Sequence, residues 1–178
     1  DWRTSGGSII RNNIYTGENQ DANREQKGWN TANFNDSSWT DVSFRSAPSQ
    51  NIVAQQLYPI RNVETIPAQY MNKLNDSLYV FDLGRNIAGV TKLKIKGKAG
   101  AMVRLIHTER LSPNGRVDLG RISNFHRPTD EEDLFQTDTY VLSGKGEDVF
   151  MPKFNYKGFR YVEVSCSEPM ELKKECLT

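Results

Sequence analysis

The chain has 178 residues, enough for one large or two small domains with a buried core. Its 23 Lys+Arg against 22 Asp+Glu leave a formal charge of +1, which supplies no electrostatic drive toward nucleic acid or an anionic membrane surface. No apolar run approaches the roughly 20 residues of a membrane-spanning helix, so no membrane partner is expected.

Residues 1–64 are polar and rich in turn formers. Asn, Gln, Ser and Asp crowd the stretch from Asn12 to Ser38, and the apolar residues (Ile9, Ile10, Ile14, Tyr15, Trp29, Phe34, Trp39, Val42, Phe44) fall in short clusters between turn signals. This predicts long loops and short strands pinned by aromatics. Asn35-Asp36-Ser37-Ser38 ahead of Trp39 could cap one helical turn and nothing longer. A domain boundary is expected near 62–76, dividing the chain into 1–64 and 65–178. Strands before the boundary can still complete a sheet formed after it.

From residue 77 the pattern sharpens. Leu78–Leu83 reads as a strand ending at Gly84, and Val90, Leu93 and Ile95 alternate with Lys92, Lys94 and Lys96 up to Gly97. Between Met102 and Leu111, Val103, Leu105 and His107 share one face. Ser112-Pro113-Asn114-Gly115 then supplies a turn. Three further strands are expected at Asp138–Leu142, Val149–Phe154 and Phe159–Val164. Period-2 runs at short spacing, without an amphipathic helix, predict an all-β fold: an antiparallel β-sandwich of jelly-roll or galactose-binding-like type. In the last of these segments at least two of Phe154, Tyr156, Phe159 and Tyr161 are expected in the core, with Gly158 at a turn or bulge. The chain starts without Met and closes on the half-alternating Met170–Thr178, as an excised piece would. Cys166 and Cys176 do not make a disulfide framework, and whether they are bridged stays open.

No catalytic residues are expected. Glycoside hydrolysis needs two carboxylates flanking the scissile bond, whereas the densest acids, Asp130-Glu131-Glu132-Asp133, read as an exposed loop. His107, mid-strand, is expected to be a hydrogen-bonded structural residue, and His126 to face solvent. Lys92, Lys94, Lys96 and Lys98 make a solvated face that guards a sheet edge. The turn-rich run from Gly17 to Glu25, followed by Trp29, is the candidate carbohydrate-binding stretch. Glu18, Asp21 and Glu25 offer oxygens, Trp29 offers a stacking face, and Asp21 is the candidate metal ligand. No cofactor is required, and calcium is the candidate cation. Asp82-Leu83-Gly84-Arg85-Asn86 reads as a tight structural feature beside a surface.

Several of these stretches resemble one family in the correct order. Ile14-Tyr15-Thr16-Gly17-Glu18, Asp21-Ala22, Glu25, Gly28-Trp29 and Phe34–Trp39 are similar to the N-terminal region of bacterial α-L-rhamnosidases. Tyr79–Gly84 with Asn86 and Gly89, Ala99-Gly100, His107-x-Glu109 and Phe154-x-Tyr156-x-Gly158-Phe159-Arg160-Tyr161-Val162 resemble the β-sandwich module of that family. The sequence departs from the pattern at Gln20, Asn23 and Arg85, where the family has Tyr, Arg and Gln. The resemblance implies a non-catalytic segment carried ahead of an (α/α)6 catalytic barrel of the same polypeptide, the whole acting on terminal α-L-rhamnosyl linkages of a glycan or glycoside. Calcium-dependent rhamnose binding near Asp21 is the alternative it implies. The segment itself is expected to be inactive.

Overall fold

A computed structural model describes residues 2–120, 122–126 and 133–178. The chain divides into two compact units, one of residues 2–6 with 26–65 and one of residues 7–25 with 66–178.

The smaller unit holds only the paired two-residue strands β1 (Arg3–Thr4) and β4 (Thr40–Asp41). Where a capped helical turn was expected, Asn35–Trp39 forms a hydrogen-bonded turn instead. Asn35 Oδ1 accepts from the Ser37 amide at 3.1 Å and Asp36 O from the Trp39 amide at 2.9 Å. Asn and Asp side chains that bond the backbone two residues on favour turns over helix. The rings of Phe34 and Trp39 meet at a tilt, with centroids 5.5 Å apart, and the Trp39 indole donates to Gln26 Oε1 at 2.8 Å.

The larger unit is a β-sandwich. Its main sheet has seven strands, in the order β2 (Ile9–Asn13), β3 (Gly17–Asp21), β9 (Thr137–Val141), β8 (Met102–Thr108), β11 (Lys157–Cys166), β6 (Leu78–Gly89) and β5 (Tyr70–Asn75). The second layer is the pair β7 (Leu93–Lys96) and β10 (Glu147–Phe150), to which Leu177 adds an antiparallel bridge at Leu93. Between 78 and 165, the one helical element assigned among the described residues is a 3-10 turn over Ile122–Phe125.

Alternation decides what is buried. Tyr79, Phe81 and Leu83 of β6, Val103 and Leu105 of β8, and Val162 and Val164 of β11 meet Leu93, Ile95 and Phe150 of the second layer in one core. Lys92, Lys94, Lys96 and Lys98 point outward, as expected. Behind the main sheet, the segment after β8 turns at Ser112–Gly115 and sends Arg116 back to Glu163. That carboxylate is 1% exposed and accepts two guanidinium hydrogen bonds and the Val117 amide.

Four findings differ from the sequence reading. Strand β6 does not stop at Gly84 but runs through it to Gly89. Gly84 has φ +82, and a Cβ there would lie 2.5 Å from the Gln69 side chain, so glycine lets the strand continue past a close neighbour. Strands β2, β3 and β5 lacked a legible period because they carry mostly polar residues with few fully buried. Strand β3 pairs β9 in parallel; the two are far apart in sequence, so no hairpin fixes their relative direction. Of the four aromatics among which at least two were expected in the core, only Phe159 is buried. Phe154 is 65% and Tyr156 48% exposed, because they fall on the outward phase of a segment whose inward positions are Asn155, Lys157 and Phe159. The bulge lies between Phe159 and Tyr161, and Gly158 has room for a Cβ. Both cysteines are free.

Candidate functional site

The four candidate residues are divided between the two units. Glu18, Asp21 and Glu25 belong to the larger unit and Trp29, 56% exposed, to the smaller one. Within β3 the period of two turns Glu18 to the core face and Asp21 to the other. Asp21 caps a 3-10 turn over Ala22–Arg24; its Oδ1 accepts from the Asn23 amide at 2.9 Å and the Asn23 side chain at 3.0 Å. Glu25 accepts from the Ser8 hydroxyl at 2.6 Å. Burial chiefly, then the carboxylates of Asp148, Glu25 and Asp21, raises the pKa of the Tyr140 hydroxyl well above its ordinary value, and Tyr140 bonds Asp148 Oδ1 at 3.2 Å. Calcium takes six to eight oxygens. Among the described residues no three His, Cys, Asp or Glu side chains gather as a metal-holding group.

Glu18 instead enters a buried polar cluster that the sequence reading missed. Asp138 of β9 and His107 of β8 occupy the next two strands on the same side, and all three residues are fully buried. Lys157 reaches in from β11, placing Nζ 2.7 and 2.9 Å from the Asp138 carboxylate and 2.6 Å from Asn155 Oδ1. Asp138 Oδ1 also accepts the Glu18 amide at 2.8 Å, which ties β3 to the sheet centre. Glu18 Oε2 accepts the Lys153 amide at 3.0 Å and the Asn12 side chain at 3.3 Å, while its Oε1 and Asn155 Nδ2 are buried without a hydrogen-bond partner.

Electrostatics follow from burial. The His107 imidazole is pushed down to about 4, first by desolvation and then by the Lys157 charge, against the pull of Asp138. It is therefore neutral at pH 7, held between the Thr91 hydroxyl at 3.1 Å and the Gln136 carbonyl at 3.0 Å, with Phe159 packed edge-on at 4.8 Å. The structural role expected for His107 holds. Lys157 sits below its ordinary value because desolvation outweighs the attraction of Asp138 and Glu18. A cluster cut off from solvent, with Lys157 and Asp138 paired to each other, suits architecture, not turnover.

His126, expected to face solvent, is mostly covered. It contacts Tyr15 and Phe135 and lies 3.6 Å from Asp133. Of the acidic run 130–133, residues 130–132 lie outside the described residues. Asp133 is 1% exposed and pairs with Arg11, so the expected exposed loop fails at this position. Asp82 is structural: it accepts the Gly84 amide at 2.7 Å and a bidentate pair from Arg160 at 2.8 and 2.9 Å, which holds its carboxyl below the usual range.

Comparison with known proteins adds a family to this geometry. A family model described as the bacterial alpha-L-rhamnosidase concanavalin-like domain matches residues 72–178, and one described as the alpha-L-rhamnosidase N-terminal domain matches residues 1–64. An alpha-L-rhamnosidase of Streptomyces avermitilis is 36% identical over 167 residues, which is 93% of this chain and 15% of that protein. One from Formosa agariphila is 36% identical over 163 residues, 92% of this chain and 17% of that protein. The solved structure of the Streptomyces avermitilis alpha-L-rhamnosidase complexed with L-rhamnose superposes with TM-score 0.85 at 35% identity, covering 99% of this chain and 16% of that one. The alpha-L-rhamnosidase from Dictyoglumus thermophilum gives TM-score 0.85 at 32% identity, covering 99% and 19%. The chain thus spans 15–17% of the length of these curated relatives.

Proposed function

The chain belongs to the bacterial alpha-L-rhamnosidase concanavalin-like domain family, and from that premise we propose that it is the non-catalytic accessory β-sandwich segment of a longer α-L-rhamnosidase. The observation that carries this is the lopsided coverage: relatives match nearly all of this chain with a small part of their own length. The acids here agree with it. Glu18, Asp82, Asp138 and Glu163 are committed to structural partners, and none is paired across an open cleft as glycoside hydrolysis requires. In this reading a catalytic (α/α)6 barrel of the same polypeptide acts on terminal α-L-rhamnosyl linkages, and the sandwich supports it. The division into 1–64 and 65–178 is part of the proposal. Two family models meeting between residues 64 and 72 support it, with β2 and β3 crossing into the second part. The test is hydrolysis of an aryl α-L-rhamnoside by the purified chain and by the longer polypeptide. Turnover is expected from the longer one alone. Turnover by this chain, abolished by substituting one of its own acids, would sink the proposal.

A second reading keeps Glu18, Asp21, Glu25 and Trp29 as a carbohydrate-binding set, with Asp21 as a calcium ligand and rhamnose as the sugar. One observation favours it: the carboxylates of Asp148, Glu25 and Asp21 all act on the Tyr140 hydroxyl. Calorimetry with rhamnose, with calcium and then with chelator, on wild type and Asp21→Ala, tests it. Calcium-dependent heat lost in the variant supports this reading, and a folded sample without heat removes it.

A further inference from the structure

The smaller unit has no interior. Not one of residues 2–6 and 26–65 is buried. Its apolar side chains are concentrated in one stretch, where Phe44 is 98%, Ile52 92%, Leu57 81%, Tyr58 97%, Ile60 83% and Val63 95% exposed. No helix or strand is assigned over residues 42–69. Two hydrogen bonds, Asn51 N–H to Ser49 Oγ and Gln55 Nε2 to Leu57 O, are internal to the stretch.

The composition of this stretch is wrong for a solvated linker. Residues 46–60 contain no charged side chain, in a chain that is 25% charged overall. Flexible linkers stay in water by being polar and charged and by lacking large apolar groups. Here the apolar blocks Ile52-Val53 and Leu57-Tyr58 are interspersed with Ser, Gln and Asn, and Pro48 and Pro59 favour an extended path. Contiguous apolar surface left in water marks an interface.

We infer that residues 44–63 are an extended strap whose apolar side chains are buried against the remainder of the same rhamnosidase polypeptide. This rests on the reading of the chain as an accessory segment of a longer enzyme. Relatives that match this chain nearly end to end devote only 15–19% of their length to it, so most of such a polypeptide is available to cover the strap. A second copy of the chain is a poorer occupant. A two-fold contact needs a self-complementary face, and a segment without strand register or paired backbone presents none. The strap, amide-rich and without charge between Arg45 and Arg61, fits a surface that combines apolar pockets with hydrogen-bonding groups for its open backbone.

Amide hydrogen exchange on this chain and on the longer polypeptide tests the strap. In the 178-residue chain the amides of residues 50–63 are expected to exchange as in an unstructured peptide; in the longer polypeptide they are slowed at least about tenfold. The double substitution Leu57→Asp/Tyr58→Asp leaves the unfolding midpoint of the 178-residue chain unchanged, where both side chains are already in water, and lowers that of the longer polypeptide. Unprotected amides in a longer polypeptide that hydrolyses an aryl α-L-rhamnoside overturn the strap and leave the accessory reading standing. Protected amides in a longer polypeptide without that activity support the strap and overturn the accessory reading. Protection in the 178-residue chain that grows with concentration, together with dimer in sedimentation, overturns the strap in favour of self-association.

Discussion

At the scale of single residues, the strongest dependence in this protein is between two charges that have no access to water. Lys157 and Asp138 are 3% and 0% exposed at the side chain and 2.7 Å apart. Removing one partner leaves the other charged, buried and unmatched, and Asp138→Ala is expected to cost about 3–5 kcal/mol in urea unfolding. The exposed pair Arg3–Asp36, at 3.4 Å, should by contrast be nearly silent when broken. Combining Asp138→Leu with Lys157→Met should recover part of the loss, because neither charge then remains; a double variant no more stable than Asp138→Ala would count against this account. His107 gives a pH dependence of definite sign. Its folded value is about 4 against 6.5 for the free side chain, so between those values the unfolded chain binds more protons than the folded one. The stabilisation is complete above about pH 6.5 and is lost as the pH falls toward 4, by on the order of 3 kcal/mol. The unfolding midpoint measured from pH 7 to 4 should show this slope, and His107→Gln should flatten it. An equally steep slope in the variant would assign the dependence to other groups.

At the scale of elements, the join between β3 and β9 is the most demanding contact in the sheet. The two strands come from opposite ends of the chain and pair in parallel over Asn19–Asp21 and Thr139–Val141. They meet just after Gly17, where φ is +152 and an added Cβ would lie 2.0 Å from the Thr137 carbonyl oxygen. Only glycine permits the Thr137 amide to reach the Thr16 carbonyl at that separation. Gly17→Ala should therefore peel β2 and β3 from the sheet while the order β9-β8-β11-β6-β5 survives. Hydrogen exchange would show protection lost for residues 9–21 and kept for 159–166. Unchanged protection over 9–21 would show that the backbone absorbs the clash.

At the scale of the whole molecule, the two units should not melt together. The larger one holds every residue of the hydrophobic core, and the smaller one holds no buried residue. Without buried apolar area there is little to offset the conformational entropy of ordering the 45 described residues of the smaller unit. All three tryptophans, Trp2, Trp29 and Trp39, lie in the smaller unit, so indole fluorescence reports it alone, whereas far-ultraviolet circular dichroism reports mostly the larger unit's strands. In a urea titration of this chain the fluorescence transition is expected at lower denaturant than the dichroism transition. Coincident transitions would show a single cooperative unit.

Features whose physics is local could be read directly from the residues. The apolar run Leu78–Leu83 and the alternation in Leu93–Ile95 and Met102–Thr108 are written in which residues can face water, so strands and the all-β class were legible there. The turn at Ser112–Gly115 was legible too, because Pro and Asn-Gly restrict backbone angles whatever surrounds them. The family was legible as well, since its motifs are short and ordered. Partners distant in sequence were not. Asp138, Lys157 and Asn155 look like ordinary polar positions until β3, β9, β8 and β11 are brought side by side, although the buried phase set by Phe159 also passes through Lys157 and Asn155. Glu18 and Asp21 looked like neighbours in one loop. Their strand gives them opposite faces, and which face is inside depended on the parallel pairing with β9. Side-chain period is a property of the chain, whereas the identity of the surface a side chain meets belongs to the assembled sheet.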